Sequence, residues 1–125
     1  MRDLLLIALG AMFGANARYV LATYFTRWFG PEFPYGTLFI NITGSLLLGF
    51  VLTYLANRVG VDTGYRLLIG TGFMGAYTTF STFSFETIAL MQRGDWVPAI
   101  VNSAASLVGA LLACYVGVAV ASWMG

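Results

Sequence analysis

Apolar residues run through this chain in four long blocks, at about residues 4–25, 36–57, 67–92 and 96–123, divided by short polar stretches. Each block has the roughly 20 residues that a helix needs to cross the hydrocarbon core of a bilayer. The pattern predicts an all-α integral membrane protein with four transmembrane helices, residues 1–125 forming a single membrane domain. One block departs from it. Between Thr78 and Ser84, five of seven residues carry hydroxyls (Thr78, Thr79, Ser81, Thr82, Ser84), with Phe80 and Phe83 among them and Gly72 and Gly75 just before. Hydroxyls gain nothing from lipid and compete for backbone hydrogen bonds, so such a run belongs where the chain lines protein or a wet cavity. Residues 75–84 are read as a break in the third helix, near the bilayer centre.

The other blocks carry isolated polar residues on defined faces. Gly10, Gly14 and Arg18 follow one another at four-residue spacing in the first. Arg18 is either a side chain snorkelling to the interface or a cation facing an aqueous vestibule. In the second block Thr37 and Asn41 lie one turn apart, followed by Gly44 and Ser45. Asn41 is equally an interhelical hydrogen bond or a donor aimed at an ion path. The fourth block pairs Asn102 with Ser106, and carries a seam of small residues at Gly109, Ala113, Gly117 and Ala121. Thr26–Tyr35, with two prolines and four aromatic residues, reads as a non-helical interfacial connector.

Composition agrees with membrane insertion: 59% hydrophobic, 9% charged and a mean hydropathy of +0.83. A net charge of +1 argues against a nucleic-acid partner. With no His and the lone Cys114 in an apolar run, neither a transition-metal site nor a Cys/His catalytic pair is expected, and the chain is not read as an enzyme. Arg2, Arg58 and Arg66 fall on one side of the membrane, Arg27 and Arg93 on the other, and there is no Lys. So weak a positive-inside bias lets a chain insert both ways. Two oppositely oriented copies can then pair about an in-plane two-fold axis, which predicts an antiparallel, dual-topology homodimer.

The polar groups collected inside the membrane are nearly all donors: Arg18, Thr37, Asn41, Thr78, Thr79, Ser81, Thr82, Ser84, Asn102 and Ser106, with Glu86 the one acid. Donors without acids suit a small anion, and the positive ring edges of Phe80 and Phe83 fit the same ligand. Unwound carbonyls near Gly75 and Thr78 would instead suit a desolvated cation such as Na⁺. A proton-coupled four-span multidrug exporter is the rival reading. It calls for a central carboxylate, whereas Glu86 sits about two turns from the polar end of its span. A membrane protein that merely binds a partner is a third, and it leaves the clustered donors without a purpose.

The string Gly75-Ala76-Tyr77-Thr78-Thr79-Phe80-Ser81-Thr82-Phe83-Ser84 closely resembles the G-x-x-T-T-F-S-T-F-S signature of the Fluc (CrcB) fluoride channel family. Gly36-Thr37-Leu38-Phe39-Ile40-Asn41 with Gly44 is similar to its G-T-L-x-x-N-x-x-G element, and Gly14-Ala15-Asn16-Ala17-Arg18 to its G-A-x-x-R. The resemblance covers essentially the whole chain. It implies a fluoride-selective channel in the bacterial plasma (inner) membrane, passively exporting cytoplasmic fluoride and so giving fluoride resistance. It also implies an antiparallel homodimer with two pores and a structural, untransported Na⁺ at its centre. By the same resemblance, backbone oxygens of Gly75 and Thr78 hold the Na⁺. Asn41, Phe80 and Phe83 belong to the pore, and Arg18 to the vestibule. Asn102 and Ser106 lie on a polar track, and Thr37, Ser81 and Thr82 complete the candidate pore donors. Tyr77 occupies a position usually aliphatic in the family.

Overall fold

The computed structural model describes Met1–Gly125 and is helical nearly throughout. Helix α1, Arg2–Phe29, is 28 residues long, about 42 Å. It ends at Gly30, whose φ of 78° an L side chain rarely adopts, with Pro31 beyond. The connector expected at Thr26–Tyr35 is therefore shorter. Nothing before Gly30 interrupts the helix, so Trp28 and Phe29 stay helical, where Phe29 stacks on Phe25 at 5.6 Å and Phe25 on Phe39 at 4.8 Å.

Helix α2, Tyr35–Ala56, starts directly after Pro34. The third segment begins at Thr63, a turn earlier than its apolar block, because Asp62 caps it by accepting the Gly64 N–H at 2.6 Å. Thr63–Tyr65 leads into a π-helical stretch, Arg66–Met74, and then Gly75–Tyr77; together these are called α3. After two extended residues come α4, Phe80–Gln92, and α5, Trp96–Met124. Three helices (α1, α2, α5) are each long and apolar enough to cross a membrane, and α3 with α4 forms the divided fourth segment.

The break is narrower than residues 75–84. Gly75 is helical and Ser81–Ser84 are helical; only Thr78 (ψ 155°) and Thr79 (φ −153°, ψ 113°) are extended. The hydroxyls explain the difference. Thr79 Oγ1 accepts the Thr82 N–H at 3.1 Å and so starts a new helix, while Ser84 bonds back to the Phe80 carbonyl at 2.8 Å. A run of hydroxyls here restarts a helix as soon as it has ended one.

Glycines set the packing. A β-carbon at Gly10 would overlap the Leu68 carbonyl, and one at Gly14 the Phe73 carbonyl, so the backbones of α1 and α3 touch. Along α2 and α5, Gly117 faces the Leu46 carbonyl in the same way, and a β-carbon at Gly49 would stand 2.5 Å from the Cys114 carbonyl. Between lipid-soluble helices, such close approach supplies the dispersion contact that a hydrophobic effect cannot. The small-residue seam expected on the last helix is present: Gly117 and Ala121 are buried in it. Ile40, Met74 and Tyr77 form the core cluster where α2 meets the end of α3.

Candidate functional site

Two extended residues inside a membrane leave backbone polar groups without helical partners, each costing several kcal/mol (roughly 2–7) if buried bare. Side chains from α1 and α2 meet part of that need. Asn41 clips Thr79 at both groups: its Oδ1 accepts the Thr79 N–H at 2.8 Å and its Nδ2 donates to the Thr79 carbonyl at 3.0 Å. Arg18 Nε donates to the Ala76 carbonyl at 3.1 Å, placing a cation at the negative end of α3. Thr78 Oγ1 donates back to the Met74 carbonyl at 2.9 Å.

Carbonyls at the end of α3 are left over, those of Gly75 and Thr78 among them. The N–H that an unbroken helix would offer to Gly75 is the Thr79 N–H, which Asn41 takes. The Thr78 carbonyl accepts no hydrogen bond within the chain. Gly75 and Thr78, singled out together in the sequence, lie at the end of α3 and in the break.

On one side of the break lies a cleft of about 200 Å³ lined by Arg18, Thr37, Thr79, Thr82 and Glu86, with Tyr19 at its apolar wall. Glu86 belongs to this cleft rather than to the interface. Its Oε1 accepts from Thr37 Oγ1 at 2.9 Å, and its Oε2 is enclosed without a partner. Thr37 therefore spends its proton on Glu86. Thr82 Oγ1 receives the Thr79 hydroxyl at 2.9 Å and keeps its own proton free, as Asn41 keeps its second N–H. The candidate donors are thus divided between those already engaged and those still available.

Phe80 and Phe83 follow the break on α4, their ring centroids 5.6 Å apart and inclined at 45°. Phe80 is 79% exposed in the single chain, and Gly75, Thr71 and Ser81 are exposed with it. Asn102 and Ser106 are buried on α5, and Asn102 faces α4. Asn102 Nδ2 donates to Thr87 Oγ1 at 2.9 Å, and Thr87 donates to the Phe83 carbonyl at 2.8 Å, so Asn102 is tied to the turn carrying Phe83. The structure brings Arg18, Thr37 and Thr82 together around one cleft, and Asn41 is bonded to Thr79, which also lines it. Gly75, Phe80 and Ser81 are exposed and do not line that cleft; Asn102 and Ser106 are buried on α5, Asn102 against α4.

Two features were not legible beforehand. Glu86 faces Thr37 although they are 49 residues apart. The polar pairing of Thr43 with Tyr77 (3.0 Å) rests on a mid-helix threonine that the sequence gives no reason to single out. No group of three or more His, Cys, Asp or Glu is formed, so the oxygens this region can offer a metal are mainly carbonyls and hydroxyls.

Residues 5–118 match the family model described as CrcB-like protein, camphor resistance. The chain belongs to the CrcB family. A relative from Chloroflexus aurantiacus, named fluoride-specific ion channel FluC, is 42% identical over 125 residues, covering all of this chain and 99% of that one. Relatives of the same name from Shewanella oneidensis (44% over 117 residues, 94% of each chain) and Koribacter versatilis (50% over 95 residues, 76% of this chain and 75% of that one) are also similar. The family is one of ion channels and not of enzymes. The resemblance read from the three sequence motifs is borne out.

Proposed function

We propose that the chain is a fluoride-selective channel through which cytoplasmic fluoride leaves passively, down its gradient, across a bacterial inner membrane. The observation that carries this is the break itself: hydroxyl residues and the Asn41 amide gather at it, and the helix that restarts after it opens with Phe80 and Phe83. Fluoride holds its water tightly, so a pore must replace that shell with many weak sites from which the ion can still depart. Free donors at Asn41 and Thr82, with positive ring edges at the two Phe, meet that requirement without stored energy. The relatives' name supports the same ion.

The working unit in this reading is an antiparallel, dual-topology homodimer. Thr71, Gly75 and Ser81 are exposed beside the break, and polar groups facing hydrocarbon are costly; a second copy laid on this face removes them from lipid. The left-over carbonyls fit the implied Na⁺: Gly75 and Thr78 would hold it, and the ion would neutralise four converging carbonyl dipoles, two from each copy. Arg18 stands at the vestibule, and Thr37, Ser81, Asn102 and Ser106 complete the polar surroundings of the path.

Phe80→Ile tests the reading. It removes the ring edge and keeps apolar bulk, so reconstituted protein should lose fluoride efflux while remaining dimeric. Wild-type efflux from that variant contradicts the ring-edge role. Exchanging Na⁺ for a bulky organic cation should weaken the dimer or its flux, and an unchanged dimer with unchanged flux after full exchange removes the central cation.

A further inference from the structure

Tyr77 is the last helical residue before the break and is only 5% exposed, its ring stacked on Phe73 at 5.9 Å and 21°. Tyrosine in membrane proteins favours the interfaces, where its hydroxyl reaches water. Here the phenol lies in the core cluster with Ile40 and Met74, and its oxygen is 3.0 Å from Thr43 Oγ1. The direction of that bond follows from the donors available. Thr43 already gives its proton to the Phe39 carbonyl at 2.7 Å, so Tyr77 donates and Thr43 accepts. Gly44, the next residue of α2, makes the approach possible: a β-carbon there would collide with the Thr78 methyl and come within 3.0 Å of the Tyr77 ring.

We infer that the Tyr77–Thr43 hydrogen bond is a positioning clasp for the break, fixing the end of α3 so that the Gly75 and Thr78 carbonyls keep one orientation. Residue 76 is held by Arg18, residue 77 by Thr43 and residue 79 by Asn41. Thr78 lies between the last two, and its carbonyl accepts no hydrogen bond within the chain. Without the clasp, α3 is still packed, but its last turn can rock about the extended Thr78–Thr79 linkage. The cost falls on whatever needs the two carbonyls pre-aimed. The clasp stands on this chain's own contacts; its effect on cation binding rests on the proposed function.

The test compares wild type with Tyr77→Phe, Thr43→Val and the double variant. Tyr77→Phe and the double variant leave no buried donor bare, because Phe carries no hydroxyl and the Thr43 proton has its own acceptor, whereas Thr43→Val strands the buried Tyr77 O–H. The first readout is hydrogen exchange at the amides of residues 79–81. The second is the Na⁺ concentration giving half-maximal thermal stabilisation in detergent. Losing one hydrogen bond should speed exchange and raise the Na⁺ midpoint by about fivefold in Tyr77→Phe, and by at least as much in Thr43→Val, which also strands a donor. The double variant should match Tyr77→Phe, since both lose the same bond and neither strands a donor. Wild-type exchange in both single variants, or effects that multiply in the double, overturns the clasp. If wild type shows no stabilisation by Na⁺, the proposed cation site fails, and the exchange rates still decide the clasp by themselves.

Discussion

The α2–α5 seam and the α3–α4 break solve the same problem, association without water, by opposite means. Along the seam the backbones are complete helices and the contact is made by absence: Gly49, Gly117 and Ala121 remove side chains until carbonyl and Cα surfaces meet. At the break the backbone is incomplete and the contact is made by addition, with Asn41, Arg18 and Thr79 side chains replacing lost helical bonds. The seam buys rigidity with no polar group at stake. The break carries exposed carbonyls, free donors and a cleft, the features that an ion can use. Chemistry in this bundle is confined to the place where the helix gives way.

Breaking the comparison at its polar end should have the largest effect. Asn41→Ala leaves both the N–H and the carbonyl of Thr79 unpaired, which should destabilise the protein by about 2–4 kcal/mol and sharply reduce fluoride flux. Thermal unfolding in detergent with parallel efflux would show it. At the seam, Gly117→Ala drives a methyl into the Leu46 carbonyl and should cost about 1–3 kcal/mol through overpacking. Its unfolding temperature should fall, while fluoride selectivity in the protein that does fold is unchanged.

Gly109→Ala sharpens the same point. Its β-carbon would meet the movable tip of Ile42 at 2.9 Å rather than a backbone atom, so the loss should stay below about 1 kcal/mol. The smallest effect belongs to the surface. Asp62, at the start of α3, has its pKa lowered first by the Gly64 N–H and then by its hydrogen bond to Arg2. The folded form therefore holds its proton less readily than the unfolded chain. Its stabilisation is present above the usual carboxylate range and is lost as pH falls through the lowered folded value. An acid titration of stability should differ between wild type and Asp62→Asn only in that acidic window, and only slightly.

Much of this could be read from residue pattern because bilayer length fixes helix length, and because Gly30 with Pro31 ends one helix while Pro34 and Asp62 precede the start of others. The four spans, the small-residue seam and the presence of a break are of that kind. The extent of the break was not, because a hydroxyl run has two local uses, unwinding a helix and capping one, and the choice depends on whether Asn41 reaches Thr79. Glu86 with Thr37, and Tyr77 with Thr43, are long-range pairings that arise once α2 lies against α3 and α4. Nothing in the spacing of those residues foretells them.

The measurement that bears most directly on the central claim is anion efflux from liposomes containing the purified protein, fluoride compared with chloride, with Na⁺ on both sides. Rapid release of fluoride with chloride retained is the predicted result, and it would turn attention to Asn41, Phe80 and Phe83 as the path. No fluoride release from folded protein would contradict the channel reading and make Glu86, the one acid of the cleft, the residue to examine as the centre of a coupled exporter.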